Sequence, residues 1–178
     1  MILTEKEINY YTLNKIIGEP IRLKLNKFES IGSRSFFLKK IDISKAIKYS
    51  DEIKIDSKCN FQKYSDGILM RINYSNKIYA IPISNTSLTK LKLIRGNEKI
   101  TPLSYSIFNL LIKLKVPIRY SRYFAWRRSK IEYQISDTEL YIKSDFLEID
   151  LITNGYDFEN QLPFFKSLNI DKKLDIIK

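Results

Sequence analysis

Between Cys59 and Leu103 short apolar runs alternate with turn signals, and this regularity commits much of the chain to antiparallel strands. Cys59 to Tyr64 leads into Ser65-Asp66-Gly67, a turn whose Asp-Gly pair tolerates positive φ. Ile68 to Tyr74 follows, then a tight turn at Ser75-Asn76 and a strand over Lys77 to Ser84. Pro82 has no amide to donate, so that strand is an edge or ends there. Leu88, Leu91 and Leu93 continue the pattern to the Gly96-Asn97 turn, and Glu98 to Thr101 returns. The spacing predicts an antiparallel meander through all of these segments.

Around this block the hydrophobic period changes. Thr4-Glu5-Lys6-Glu7 has the capping-box form, and Ile8, Tyr11, Leu13, Ile16 and Ile17 follow near helical spacing, which predicts a helix over about 5–17 ended by Gly18 and Pro20. Ile21, Leu23 and Leu25 alternate with polar residues as in a strand, as do Ile53 and Ile55, and Phe36-Phe37-Leu38 begins another. Residues 42–50 read as a short helix or a loop. After Pro102, Ser104 or Ser106 caps a helix carrying Ile107, Phe108, Leu110, Leu111 and Leu114, interrupted at Val116-Pro117. Residues 118–129 are a second short helix or a long loop. Strands resume over 130–135, 139–143 and 146–152, and Asp157 opens a helix to Leu168 that Pro163 should kink or divide. Asp171 to Lys178 reads as a polar tail.

The fold class is therefore α+β: a mainly antiparallel sheet or partly closed barrel, with an N-terminal helix, a helical insertion at about 104–129 and a C-terminal helix. A run of antiparallel strands closed by one helix resembles the pleckstrin-homology-like barrels in element order, though no motif carries the likeness. A length of 178 residues fits a single domain over 1–178, with a β-rich part (1–103), the insertion (104–129) and a last part (130–178) as its subdivisions.

Composition then narrows function. Cys59 is the one cysteine, so no intrachain disulfide forms and a reducing, cytoplasmic compartment is expected. The N-terminus lacks the basic-then-apolar form of a signal peptide. The most apolar window, 107–118, is broken by Lys113 and Lys115 and is too short to span a bilayer, which leaves lying on a membrane surface open. Net charge is +11, a balance that attracts phosphate-bearing partners, either nucleic acid or anionic lipid headgroups. An AT-rich coding bias accounts for many of the 23 lysines but poorly for the 8 arginines, four of which fall between Arg119 and Arg128.

The same composition removes familiar chemistry. Without histidine there is no His-based triad and no common zinc site, and five glycines form neither a P-loop nor a dinucleotide fingerprint. No cofactor is expected. One catalytic spacing exists: Asp42 with Glu52-Ile53-Lys54 has the D…(D/E)xK form of restriction-type nucleases, where two carboxylates hold a metal and the lysine assists water. A strand around Ile53 would put Glu52 and Lys54 on one face, and a solvated strand face accounts for the same residues. Glu148 and Asp150 share a strand face in the same way.

The stronger pattern is a binding one. Lys113, Lys115, Arg119, Arg122, Arg127, Arg128 and Lys130 form a run without a single acid, interleaved with Tyr120, Tyr123, Phe124 and the sole tryptophan, Trp126. Such a run suits phosphate contact with base stacking, or an anionic membrane surface. Alternatively, the aromatics pack inward while the arginines snorkel or pair with carboxylates. The expected function is a non-enzymatic binding or adaptor domain that meets an anionic partner through 113–130. A metal-dependent nuclease is the second reading, and a protein contact through the apolar 107–118 helix the third. Tyr10-Tyr11 and Phe36-Phe37 read as core or core-edge, Phe164-Phe165 as packed on the sheet, and Cys59 as a buried small hydrophobe.

Overall fold

A computed structural model describes residues 1–21, 31–43, 48–125, 132–168, 170 and 172–178. Helix α1 spans Tyr10–Ile17, α2 Ile107–Lys113, α3 Ile118–Ser121 and α4 Phe158–Lys166. The strands are β1 (Leu3–Thr4), β2 (Phe36–Ile43), β3 (Lys58–Lys63), β4 (Gly67–Tyr74), β5 (Lys77–Ser84), β6 (Leu88–Ile94), β7 (Glu98–Ile100), β8 (Tyr133–Ile135), β9 (Thr138–Ser144), β10 (Leu147–Thr153) and β11 (Leu174–Ile177). Nine of them form one sheet in the order β1-β5-β4-β3-β2-β10-β9-β6-β11, antiparallel except for the β6–β11 pair, while β7 and β8 form a separate two-stranded sheet. The chain is thus α+β with a large, mostly antiparallel sheet. Of the two expected forms the sheet is open, not a barrel, because β1 and β11 lie at opposite ends and do not meet.

The core follows from alternation. On β4, Ile68, Met70 and Ile72 point to one face and Leu69 to the other, and all four are buried. The first face joins Phe36, Phe61, Leu91, Leu140, Ile149 and Leu151 in one cluster that packs on α4 through Phe158, Leu162, Phe164 and Phe165. Phe165 makes edge-on contacts with Phe36, Phe61 and Phe164, at ring separations of 6.0, 6.2 and 5.1 Å. Full burial of each such side chain stabilises by about 1.5–3 kcal/mol. The second face of β4 and β5 is covered by Leu13 and Ile17 of α1. Cys59 is fully buried in the main cluster, and burial pushes its thiol up to about 12, so it behaves as a hydrophobe.

Several expectations need correction. The Thr4–Glu7 pair does close, with Glu7 accepting from the Thr4 amide and hydroxyl at 2.8 and 2.7 Å. It makes a turn, however, because Leu3 and Thr4 are drawn into the sheet opposite Ala80 and Tyr79. The helix starts later, capped by Asn9, whose side-chain oxygen accepts from the Thr12 amide at 2.9 Å. The meander holds for β3-β4-β5 and stops there. β1 occupies β5's other side, and hydroxyl contacts from Ser84 to Thr86 and Ser87 turn the chain away. β6 therefore crosses to pair with β9, and β7 leaves the main sheet altogether.

Ile53 and Ile55 do not form a strand. Tyr49 and Asp56 take left-handed φ of 68° and 66°, with a 3₁₀ turn at Ser50–Glu52 between them, so Ile53 is buried and Ile55 exposed. Pro163 sits inside α4 without dividing it. The expected tail contains β11, bonded in parallel to β6. Tyr10, Tyr11 and Phe37 are exposed, whereas Phe36 is fully buried. The proposed strand at Leu23 and Leu25, and residues 44–47, lie outside the described residues.

Candidate functional site

The separate sheet and the two short helices form an annex on the main sheet. Its neck is set by glycine. A Cβ on Gly96 or Gly155 would collide with the Ser136 carbonyl oxygen, so two connections can close on the β8–β9 turn only because both lack side chains. The Ser136 amide donates to the Asn97 carbonyl at 3.0 Å, completing the junction.

Within the annex, Ser106 caps α2 by accepting from the Asn109 amide at 3.0 Å. The helix ends where Lys115 adopts a left-handed φ of 58°. Pro117 cannot continue it and opens α3, and buried Ser121 donates back to the Val116 carbonyl at 3.0 Å. Phe108, Ala125 and Tyr133 make a small core with Ile112 and Ile118 packed on it. Phe108 meets Tyr133 edge-on at 6.4 Å, and Tyr133 in turn meets Tyr156 at 5.9 Å, beyond the neck.

That core uses one face of α2. The other carries Ile107, Leu110 and Leu114 at spacings of three and four residues, with Leu110 57% and Leu114 65% exposed. Tyr105, Tyr120, Tyr123 and Phe124 are also exposed nearby in the chain. Isolated surface leucines mean little, but a grouped apolar surface marks a contact.

The charges beside it are one-signed. From Lys99 to Ile131 the sequence contains no Asp or Glu. The two carboxylates that bound this stretch are turned to local partners: Glu98 pairs with Arg95, and buried Glu132 accepts from the Leu103 amide at 3.0 Å. Among the described residues no carboxylate forms an ion pair with Lys113, Lys115, Arg119 or Arg122. Lys113, Lys115 and Arg119 are exposed, and the Arg119 guanidinium lies 4.5 Å from the Tyr120 ring centroid.

Arg122 differs: it is half-buried and 5.6 Å from the Tyr123 ring. Burial disfavours its charge, but the neighbouring Tyr123 and Tyr133 hydroxyls outweigh that and raise its pKa. The Tyr133 hydroxyl is itself buried and makes no hydrogen bond of good geometry among the described residues. The arginines thus do not act alike. Trp126, Arg127, Arg128 and Lys130 lie outside the described residues.

The nuclease spacing is not assembled in this way. Asp42 lies on the exposed face of β2 opposite Glu148. Glu52 is held on β5, accepting from the Tyr79 hydroxyl and, at 3.3 Å, from Lys77. The Tyr79 contact, then Lys77, holds the Glu52 carboxyl below the usual carboxylate range. Lys54 follows the 3₁₀ turn, its carbonyl accepting from the Ser57 hydroxyl. Among the described residues no three Asp, Glu, Cys or His side chains gather as a metal site needs.

A surface that sequence reasoning missed is the outer face of β6, β9 and β10, a shallow depression ringed by Lys39, Lys90, Lys92, Glu139, Tyr141 and Asp150. Its signs are mixed, with Lys39 and Glu139 paired at 3.1 Å, and Lys143 and Glu148 pair at 3.4 Å farther along β9 and β10. The alternation on β9 and β10 was the signal for this face, but which strands flank them was not readable locally. Among the described residues no helix is long and apolar enough to cross a membrane. Set against family models, curated proteins and solved structures, the chain matches none of them.

Proposed function

We propose that the protein is a non-enzymatic binding module that docks on an anionic, phosphate-bearing partner through the annex. One observation carries this reading: the exposed surface of α2 and α3 presents cations and apolar side chains, while the carboxylates bounding the stretch are occupied at the neck and under Leu103. A mixed-sign surface, like that on β9 and β10, neutralises itself and gains little from an anionic partner. An unpaired cation beside an anionic surface contributes about 1 kcal/mol, so Lys113, Lys115 and Arg119 together supply about 3 kcal/mol, roughly a hundredfold in affinity.

The test is binding of the full chain to phosphatidylserine vesicles by sedimentation and to single-stranded DNA by gel retardation, each at low and at physiological salt. Binding to at least one, weakening with salt, is expected. Replacing Lys113, Lys115 and Arg119 together by glutamine should weaken it about a hundredfold. Absence of binding to both partners at both salt levels rejects the reading.

A further inference from the structure

We infer that the anionic partner is a lipid bilayer, in which the outer stripe of α2 embeds while the neighbouring cations meet the headgroups. This rests on the docking reading above and names its partner. The decisive feature is that α2 is apolar on two sides. Phe108 and Ile112 serve the annex core, whereas Ile107, Leu110 and Leu114 are 61%, 57% and 65% exposed and join no apolar cluster among the described residues. Asn109 and Lys113 make the third side polar, so the second apolar side stands exposed beside a cation, the form of a helix that meets an apolar surface from outside.

The chemistry of that stripe separates the candidate partners. Nucleic acid offers phosphates and base faces, which reward arginine and aromatic rings but have no use for exposed leucine and isoleucine. A second copy of the chain would bring two acid-free cationic faces together and repel. A bilayer uses both features at once: acyl chains accept the aliphatic stripe, and anionic headgroups accept Lys113, Lys115 and Arg119. Placement agrees with this division. Lys113 closes α2 one residue before Leu114, and Lys115 follows directly, so long flexible cations flank the end of the stripe and can reach outward from it. With seven residues α2 is about 10 Å long, suited to lying in the interface and too short to cross.

The experiment uses the full chain with vesicles of equal parts phosphatidylcholine and phosphatidylserine, vesicles of phosphatidylcholine alone, and single-stranded DNA. Sedimentation with the mixed vesicles is expected, together with a loss of at least about tenfold in partitioning for Leu110→Ser/Leu114→Ser. DNA retention by that variant should equal the parent's. Both positions are exposed, so the far-ultraviolet circular dichroism should be unchanged; Ile107→Ser is the second variant if it is not. DNA retention without sedimentation overturns the bilayer and leaves anionic docking standing, whereas binding to neither removes both. Vesicle partitioning unaltered by the serine substitutions shows that the stripe does not embed. A solution dimer dissolved by the same substitutions reassigns the stripe to a second copy. Either result overturns the inference.

Discussion

The main sheet and the annex are built from similar residues and treat them oppositely. On the sheet, α4 and α1 cover the apolar faces so fully that Phe36, Leu38, Met70, Ile81, Phe164 and Phe165 are inaccessible to solvent. In the annex two strands of three residues and two short helices enclose, among the described residues, Phe108, Ala125 and Tyr133, and an equal or larger apolar set stays outside. Isolated two-stranded pieces are marginal in water, so the annex depends on its neck and small core for order. The contrast teaches that the exposed stripe is not a by-product of a chain with too few polar residues. Outside the annex the exposed large apolar side chains, such as Tyr11, Phe37 and Ile55, sit on separate elements, whereas Ile107, Leu110 and Leu114 share one side of one helix.

The comparison can be broken most forcefully from the sheet side. Phe165→Ala should cost about 3–5 kcal/mol, read as a lower urea midpoint of one cooperative transition. Phe108→Ala removes an equally buried ring but should act locally. Amide exchange over 107–121 should accelerate strongly while β4 and β5 stay protected, and equal acceleration in both regions would make annex and sheet a single cooperative unit. Leu110→Ser, aimed at the outer face of the same helix, should move stability by no more than about 0.5 kcal/mol. A larger loss would mean that the stripe is structurally engaged.

The smallest expected effect is in acid. Glu52 is depressed chiefly by its Tyr79 contact, and Glu148 likewise by Tyr141. A carboxyl with a lowered folded pKa adds stability that is complete above its ordinary range and fades as pH falls through the folded value. Glu52→Gln should therefore flatten the acid limb of sheet stability.

What could be read in advance divides along the line between local and distant interactions. The α2 cap, read as Ser104 or Ser106 and found at Ser106, the Ser75-Asn76 turn with its φ of 47° and 63°, and the burial of Cys59 depend on near neighbours, and the residues alone indicated them. The partner of β6 was not legible, because nothing in Leu88–Ile94 records that β1 already covers part of β5. The same limit applies at the candidate site. The acid-free run was visible in the letters, but α2 is apolar on both sides, and only the packing of Phe108 and Ile112 tells inside from outside.

The junction of β2 with β10 has a consequence for how the molecule is made. Ile43 through Phe37 find their partners in Leu147 through Ile152, more than a hundred residues later. Closing so long a loop costs chain entropy before any contact repays it, which slows folding. During synthesis the hairpins of β3, β4 and β5 are able to zip early, while β2 waits with one side unpaired. Until the ribosome has delivered residue 152, that bare strand is the place where a nascent chain would need a chaperone or would adhere to its neighbour.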